Sequence, residues 1–193
     1  MVFDPDLHHR RSVHLRNFDY TRGGSYFVTV CTAGRECLFG EVVEGVVRLN
    51  SFGTIVLDEW IRTPAMRSNV ELDGFVVMPN HFHAILCIHD VGAHCMRPVS
   101  DGPPNPNERQ NRAHIGAPLQ RRQPDSIGSI IAGFKSAATK RINTVRVNPG
   151  APVWQRNYYE RIIRNDRELD TIRQYINDNP TKWEDDENHP GRI

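Results

Sequence analysis

The sequence predicts an α+β fold built on a mainly antiparallel sheet. Short runs rich in β-branched and aromatic residues are interspersed with segments whose apolar residues recur at helical spacing. Two pairs of predicted strands flank short turns, one Glu-Gly and one Pro-Asn, which predicts antiparallel hairpins. The predicted order is β, β-hairpin, α, β, β, α, β, α, and this mixture of strands and helices is typical of the α+β class.

The first part of the chain is predicted to contain a strand, a hairpin and a helix. Residues 25–32 are rich in β-branched and aromatic side chains, which favour a strand. Further along, Glu44-Gly45 separates two valine-rich runs and predicts the turn of a hairpin. Ser51 is predicted to cap a helix, and Pro64 is predicted to close that helix.

Two central strands follow. Residues 70–77 and 81–89 are apolar runs on either side of Pro79-Asn80, so they are predicted to pair as neighbours in a hairpin. With the elements around them, these strands fit a ferredoxin-like split βαβ sheet with helices on one or both faces and an added β-hairpin.

The last part of the chain is predicted to contain a helix, a strand and a second helix. Residues 126–145 carry apolar residues along one side, which predicts an amphipathic helix. Residues 152–163 are predicted to form a short strand with aromatic flanks. Asn165 begins the final helix with Glu168 three residues later, as in a capping box, and Pro180 ends it.

Composition divides the chain into a central domain with two appended segments. Residues 1–24 are predicted to form a basic N-terminal arm, and residues 181–193 an acidic tail. The domain covers residues 25–180 and contains a polar insertion at about 90–124, where turn-forming residues cluster without any periodicity.

Composition also excludes several classes of protein. The hydrophobic fraction of the 193 residues is 38% and no run approaches 18 apolar residues, so neither a transmembrane helix nor a membrane partner is expected. The N-terminus lacks an apolar segment typical of a secretion signal, and the four cysteines lack CxxC spacing. We therefore expect a reduced, cytoplasmic protein without a disulfide framework.

The charge is unevenly distributed. The formal net charge is +1, yet residues 109–146 contain eight Lys or Arg against one acid, Asp125. A basic surface of this kind suits a polyanionic partner, and the simpler alternative is a solvated charged face.

A histidine pair lies on the second central strand. In His81-Phe82-His83, residues i and i+2 share one face of the strand, so both imidazoles are expected to point out together while Phe82 packs inward. Two imidazoles on one face can hold a divalent metal, and the simpler alternative is an exposed pair of strand histidines. A nucleotide-hydrolase HxHxH site is disfavoured because its third position is Ile85.

Tyr175 and Asn179 form the second candidate site. They are four residues apart on the last predicted helix and therefore share a face. A tyrosine oxygen beside a metal-held phosphate can act as a nucleophile, and Asn179 would supply an oxygen ligand. Two imidazoles and one oxygen suit Mg²⁺ or Mn²⁺. The alternative is that Tyr175 flanks the core, and Tyr158 and Tyr159 are rival nucleophiles, one expected in the core and the other at the surface.

Four separated motifs occur in an order that matches a known family. They are VVMPNHFHAIL (76–86), SIGSIIAGFKSAATKRIN (126–143), WQRNYYERIIRN (154–165) and YINDNP (175–180). With residues 10–32, they resemble the IS200/IS605-like tyrosine transposases, and most of all the branch associated with repetitive extragenic palindromes (REP). The resemblance covers roughly residues 10–185 and specifies a Y1 HUH transposase domain.

This resemblance implies both an activity and a set of site residues. His81 and His83 match the HUH pair that binds a divalent metal, Mg²⁺ or Mn²⁺. Tyr175 matches the nucleophile, and Asn179 matches the amide ligand four residues later, with Asn in place of the Gln of many members. The implied activity is metal-dependent nicking and rejoining of single-stranded DNA beside a hairpin, through a 5′-phosphotyrosine.

The expected partner is single-stranded or hairpin DNA of the REP-like palindrome type. Its phosphates are expected to contact basic residues of the insertion and the third helix, and a sequence beside the hairpin is expected to contact the N-terminal arm. The proposed DNA-binding residues are Lys135, Lys140, Arg141, Arg121 and Arg122, with Arg10, Arg11 and Arg16 in the arm. Two alternatives remain, a domesticated palindrome-binding protein without cleavage and a metal-dependent nucleotide phosphohydrolase. The resemblance is compatible with either a monomer or a homodimer.

Overall fold

A computed structural model describes residues 23–89 and 126–192 of the chain. Their main feature is a four-stranded antiparallel sheet with the strand order β4-β5-β1-β6. The strands are β1 (Gly24–Cys31), β4 (Val70–Val77), β5 (His81–Ile88) and β6 (Tyr159–Ile163). A separate two-stranded hairpin consists of β2 (Gly40–Val43) and β3 (Val46–Leu49). The helices are α1 (Ser51–Ile61), α2 (Thr63–Met66), α3 (Ile127–Val145) and α4 (Asp166–Asp178).

This architecture confirms the predicted fold class. Helices α1 and α3 connect the four strands in the ferredoxin-like arrangement, and the predicted hairpin is an addition between β1 and α1. The first 22 residues of the predicted arm and the insertion lie outside the described residues. The same is true of Arg10, Arg11, Arg16, Arg121 and Arg122. The proposed domain boundaries stay predictions.

The larger core lies on one face of the sheet, beneath α1 and α3. Trp60 of α1 contacts Phe82 of β5 and Phe134 of α3, with ring centroids 4.9 and 5.1 Å apart. All three rings are buried. Burying large aromatic side chains contributes strongly to stability, so this cluster fixes the two helices to the sheet.

The opposite face of the sheet is covered by α4. Ile172 and Ile176 of α4 pack against Phe27 of β1 and Ile85 of β5, which forms a second, smaller core. Leu169 is partly buried at the edge of this second core. The sheet therefore has helices on both faces, with α1 and α3 on one face and α4 on the other.

The start of α1 differs from the prediction by one residue. Asn50, and not Ser51, is the N-cap, because its Oδ1 accepts hydrogen bonds from the backbone N–H groups of Phe52 and Gly53. Pro64 does not close α1 directly. It lies in the first turn of the short α2, where a proline is tolerated because its missing N–H would have no partner within the helix.

Replacing Asn50 with Ala is expected to lower the free energy of unfolding by about 1 kcal/mol, since two N–H groups lose their capping partner. Ser51→Ala is the matched control and is expected to change stability by less than about 0.5 kcal/mol, since the residue is exposed. Urea denaturation of the two variants measures both values. Equal losses in the two variants would contradict this assignment of the cap.

The predicted strand over 152–163 is shorter in the structure. Only Tyr159–Ile163 forms β6, because the preceding residues make different contacts. Trp154 forms an isolated bridge with Thr32, and the Lys135 ammonium donates to the backbone carbonyl of Gln155. These contacts hold residues 154–157 as an ordered loop beside the sheet.

The predicted capping box of α4 is confirmed in one half. Asn165 is the N-cap, and its side chain accepts a hydrogen bond from the Glu168 N–H. The Glu168 carboxylate, however, accepts from the N–H of Arg164 and not from that of Asn165. The Glu168 carboxylate thus accepts a hydrogen bond from the residue before the N-cap. It still lies in the first turn of α4, where negative charge is favourable.

Candidate metal and tyrosine site

The histidine pair lies on β5 and shares one face of that strand, as predicted. Phe82 between them points to the larger core, while the two imidazole centroids lie 4.5 Å apart on the opposite face. The alternative of an exposed pair of strand histidines is wrong. His81 is 0% and His83 1% exposed, because α4 and the segment after it cover this face.

Hydrogen bonds on the Nδ1 side orient both rings. Nδ1 of His81 lies 2.9 Å from Asn80 Oδ1, and Nδ1 of His83 lies 2.8 Å from Thr29 Oγ1. The Asn80 NH₂ group donates to two backbone carbonyls, so its Oδ1 is the acceptor and His81 Nδ1 carries the hydrogen. His81 Nε2 is then left with a free lone pair, which is the arrangement that metal-binding histidines usually have.

Asp186 completes a cluster of possible metal ligands. Its Oδ2 lies 3.9 Å from His81 Nε2, and ligand atoms of His81, His83 and Asp186 all lie within 4.8 Å of one another. The carboxylate is held by the Asn179 NH₂ group at 3.0 Å and the Asn188 N–H at 2.6 Å. The buried His-His-Asp cluster can therefore hold a metal ion.

Asp186 is not among the predicted site residues, because its sequence neighbours predict an acidic tail over residues 181–193. In the structure, two short 3₁₀ turns, Pro180–Asp185 and Pro190–Arg192, keep this segment beside the sheet. Trp183 is buried, with its ring 6.0 Å from that of His81. A tryptophan within an otherwise acidic run was the available signal that the segment packs against the domain.

Asn179 lies beside the cluster, where its side chain contacts Asp186. It follows the last residue of α4, and its side chain is 3% exposed. Within the described part of the chain, Asn179 Oδ1 and His81 Nε2 are both buried without a hydrogen-bond partner. Unsatisfied buried polar atoms are costly, and a bound cation would satisfy both of them. The residues present thus fit a divalent metal.

Tyr175 brings a hydroxyl group to the edge of this cluster. Its Oη lies 3.2 Å from His83 Nε2, while the side chain remains 41% exposed. Helix α4 is fixed nearby by Arg173, whose guanidinium bonds both carboxylate oxygens of Asp73 at 3.0 and 2.6 Å. This hydrogen bond lowers the pKa of Asp73, and the pair anchors α4 to β4 two residues before Tyr175.

Burial favours the neutral forms of His81, His83 and Tyr175. Desolvation lowers the pKa of His81 to about 4, although the neighbouring Asp186 and Asn179 oppose the shift. Desolvation and the neighbouring His81 also lower the pKa of His83 well below its usual value. Desolvation, followed by the charges of Asp186 and Glu187, raises the pKa of Tyr175 to about 12. At neutral pH the imidazoles are ready to bind a metal, and the phenol keeps its proton until positive charge is added.

The metal-free protein is expected to lose stability as the pH falls from about 6.5 towards 4. The folded pKa of His81 lies near 4, below the usual 6.5, so the unfolded chain takes up protons that the folded chain excludes. Melting temperatures measured with a chelator between pH 7 and 4.5 test this expectation. His89→Gln should keep the dependence, because His89 pairs with Glu71 away from the cluster. A flat profile over this range would contradict it.

The rival tyrosines separate as predicted. Tyr158 packs against the larger core, while Tyr159 on β6 is 44% exposed. Tyr159 lies beside Phe27, whose ring also contacts Tyr175. Of the two, Tyr159 is the one that shares a face of the sheet with the histidine pair.

The predicted DNA-binding residues of α3 lie on the other face of the sheet from Tyr175. Lys135 donates to the carbonyls of Gln155 and Arg156, and Arg141 pairs with Asp58 and Glu59. Lys140 is exposed. The DNA contacts of these three residues stay predictions, and the structure adds the protein contacts of Lys135 and Arg141.

Comparison with solved structures identifies the class of fold. The structure of a REP-associated tyrosine transposase bound to a REP hairpin matches with a TM-score of 0.54 and 19% sequence identity. The match covers 88% of this chain and 74% of that one. This chain therefore has the fold of that transposase, with a His-His-acidic cluster like an HUH motif.

Sequence comparison gives a nearer relative. An uncharacterized protein from Haemophilus influenzae (strain ATCC 51907 / DSM 11121 / KW20 / Rd) is 37% identical over 187 residues, covering 96% of each chain. The chain belongs to the same family as this protein. No family model matches the chain. Among the helices of the described residues, none has the length and apolar character needed to cross a membrane.

Proposed function

We propose that this protein is a metal-dependent transposase of the HUH tyrosine type, which cleaves and rejoins single-stranded DNA beside a palindromic hairpin. The observation that carries the proposal is the position of Tyr175 Oη, 3.2 Å from His83 Nε2 and next to the His-His-Asp cluster. The hydroxyl of a partly exposed tyrosine beside a buried metal-binding cluster suits covalent phosphoryl transfer to tyrosine.

Each site residue has a role in this proposal. His81, His83, Asn179 and Asp186 hold Mg²⁺ or Mn²⁺. The metal, when bound, neutralises phosphate charge and orients the scissile group. Asn80 and Thr29 orient the two imidazoles through their Nδ1 atoms. The anchoring of α4 by Arg173 and Asp73 keeps Tyr175 in place.

The reaction balances without a further reactant. The Tyr175 oxygen bonds to the phosphorus of the scissile phosphate and the P–O3′ bond breaks. The phenol proton is released and the departing 3′-oxygen takes up a proton, so the products are a 5′-phosphotyrosine and a 3′-hydroxyl. Rejoining reverses these changes with a 3′-hydroxyl as nucleophile. The covalent bond conserves the energy of the phosphodiester.

Two findings support a DNA hairpin as substrate. The transposase with the same fold is itself described bound to a REP hairpin. In addition, residues 109–146 have a strong excess of basic charge, as a partner of phosphate groups would require.

Incubation with labelled single-stranded DNA from the flanks of the gene tests the proposal. We expect a covalent protein–DNA adduct on a denaturing gel in the presence of Mg²⁺ or Mn²⁺, and none with a chelator. Binding without an adduct under all metal conditions would instead favour a domesticated palindrome-binding protein. Release of phosphate or nucleotides from small substrates, unaffected by loss of Tyr175, would favour a phosphohydrolase.

The affinity for hairpin DNA is expected to fall steeply as the salt concentration rises. A plot of log affinity against log salt concentration should have a slope of roughly −0.7 to −0.9 for each phosphate that the protein neutralises. Lys140→Gln removes an exposed positive charge of α3, and we expect it to reduce this slope by about one for hairpins of different sequence alike. Fluorescence anisotropy over a salt titration measures the slope. A slope unchanged by the substitution would remove Lys140 from the DNA-binding surface.

A further inference from the structure

A cavity of about 390 Å³ opens beside Tyr175 and adjoins the metal-binding cluster, since its lining residues Thr29 and Asn188 hydrogen-bond to His83 and Asp186. Its size falls within the range typical of small-molecule sites, roughly 300–1,000 Å³. None of its ten lining residues is a histidine, lysine or arginine. The lining includes aromatic, amide and acidic side chains, among them Phe27, Tyr159, Tyr175, Gln155, Asn157 and Glu187.

Four aromatic side chains line this cavity, Phe27, Tyr158, Tyr159 and Tyr175. Phe27, only 8% exposed, forms its floor. The ring of Tyr159 lies 6.3 Å from that of Phe27 at 67°, and the ring of Tyr175 lies 6.0 Å away at 85°. Both tyrosine rings therefore stand steeply on the floor, and both are more than 40% exposed. Such rings offer a stacking surface to a flat ligand.

The polar groups of the cavity are amides on an ordered loop. Gln155 and Asn157 line it, and no hydrogen bond among the described residues engages either side chain. Their loop is held in place because Gln155 N–H donates to the Cys31 carbonyl and Lys135 donates to the Gln155 carbonyl. Side-chain amides on a fixed backbone suit paired hydrogen bonds to the edge of a nucleobase.

The charge of the cavity argues against a phosphate as its ligand. Glu187 is the one acidic residue among the ten that line it, and none of the ten is basic. A phosphodiester would be repelled there, whereas a neutral, flat group with hydrogen-bonding edges would not be.

We propose that this cavity binds one unpaired nucleobase adjacent to the scissile phosphate. Tyr159 is the stacking surface, and Gln155 and Asn157 contact the edge of the base. The inference rests on the proposed function, because it is the exposed Tyr175 ring that joins the cavity to the cleavage site. The proposed cavity would let Gln155 and Asn157 favour particular DNA bases at this position. It also gives the WQRNYYERII segment a role in DNA binding in addition to supplying a rival nucleophile.

The test uses hairpin DNA in which 2-aminopurine replaces the unpaired bases one at a time, bound to Tyr175→Phe protein so that no cleavage occurs. Stacking on an aromatic ring quenches this fluorophore, so we expect strong quenching at one position next to the cleavage site. Tyr159→Leu should abolish the quenching at that position, and Tyr159→Phe should keep it. The affinity of the Leu variant should fall roughly 5- to 150-fold, the range for one stacked base.

An abasic residue at the quenched position provides the matching control. It should weaken binding of the Tyr159-containing protein by a similar factor, and Tyr159→Leu should cause no further loss on that DNA. Full additivity of the two changes would overturn the stacking role. If Tyr159→Leu does not fold, Gln155→Ala and Asn157→Ala provide the second route. Both residues are exposed, and their loss should change base preference at this position about tenfold.

Adduct formation by the unsubstituted protein on the same DNA distinguishes failure of the base-binding cavity from failure of cleavage by Tyr175. An adduct without quenching at any position overturns the base-binding cavity and leaves the proposed function standing. Quenching that depends on Tyr159, without an adduct in either Mg²⁺ or Mn²⁺, supports the cavity and overturns cleavage by Tyr175.

Discussion

Tyr175→Phe is expected to abolish the covalent DNA adduct and to reduce strand cleavage by about 10³-fold or more, while folding and hairpin affinity persist. The substitution removes one oxygen, which lies 3.2 Å from His83 Nε2, and leaves the ring contact with Phe27 intact. Water at a site shaped for a phenol lacks the positioning that makes the tyrosine effective. A denaturing gel with labelled DNA measures adduct and cleavage together.

The matched control is Tyr158→Phe, which removes a hydroxyl from a partly buried tyrosine packed against the larger core. This variant should still form the adduct, with at most a loss of stability. The decisive rival is Tyr159, which lies on the same face of the sheet as the histidine pair. If Tyr175→Phe retained the adduct and Tyr159→Phe lost it, the nucleophile would lie on β6 and the mechanism based on α4 would be wrong.

Asp186→Asn is expected to weaken Mn²⁺ binding by at least roughly 10- to 100-fold. Loss of a residue that only hydrogen-bonds to a metal ligand typically weakens metal binding by this factor. The carboxylate is the negatively charged member of the buried cluster, and its charge compensates a divalent cation beside two neutral imidazoles. Isothermal titration with Mn²⁺ alone measures the affinity. Adduct formation at limiting metal should fall in parallel.

Asp185→Asn is the control for this prediction, because the neighbouring carboxylate is exposed and carries the same formal charge. It should leave Mn²⁺ affinity within about twofold, since exposed charges are screened by solvent. Equal losses of Mn²⁺ affinity in both variants would mean that Asp186 acts only through its negative charge and not as a metal ligand. Asn179→Ala then tests the amide ligand separately, because Asn179 Oδ1 is buried without a partner among the described residues.

The sequence was sufficient to predict the order of strands and helices and the sharing of one face by His81 and His83. Both follow from local periodicity, since alternation along β5 must place Phe82 opposite the two imidazoles. The choice between Asn50 and Ser51 as the cap of α1 could not be made locally, because both residue types are good caps. It depends on which backbone adopts the extended conformation before the helix.

The contribution of Asp186 could not be predicted from the same patterns. Its position depends on the return of residues 180–188 across the sheet, which is set by the burial of Trp183 and the hydrogen bond from Asn80 to the Asn188 carbonyl. The burial of the histidines follows from the same contacts, since a strand pattern indicates which side chains share a face but not what covers them. The shortened β6 has a similar origin, in the contact between Lys135 and the loop at Gln155.

The alternation of chemistry along β5 constrains how the gene can change over evolutionary time. The strand is buried on both faces, with the imidazoles on one and Phe82 in the aromatic core on the other. A codon inserted into or deleted from the turn at 78–80 would shift β5 by one place against β1 and β4, and so exchange the two faces. Two imidazoles would then enter the core and a phenylalanine would replace them at the candidate metal site. The length of this turn is therefore expected to be as invariant among functional homologues as the two histidines.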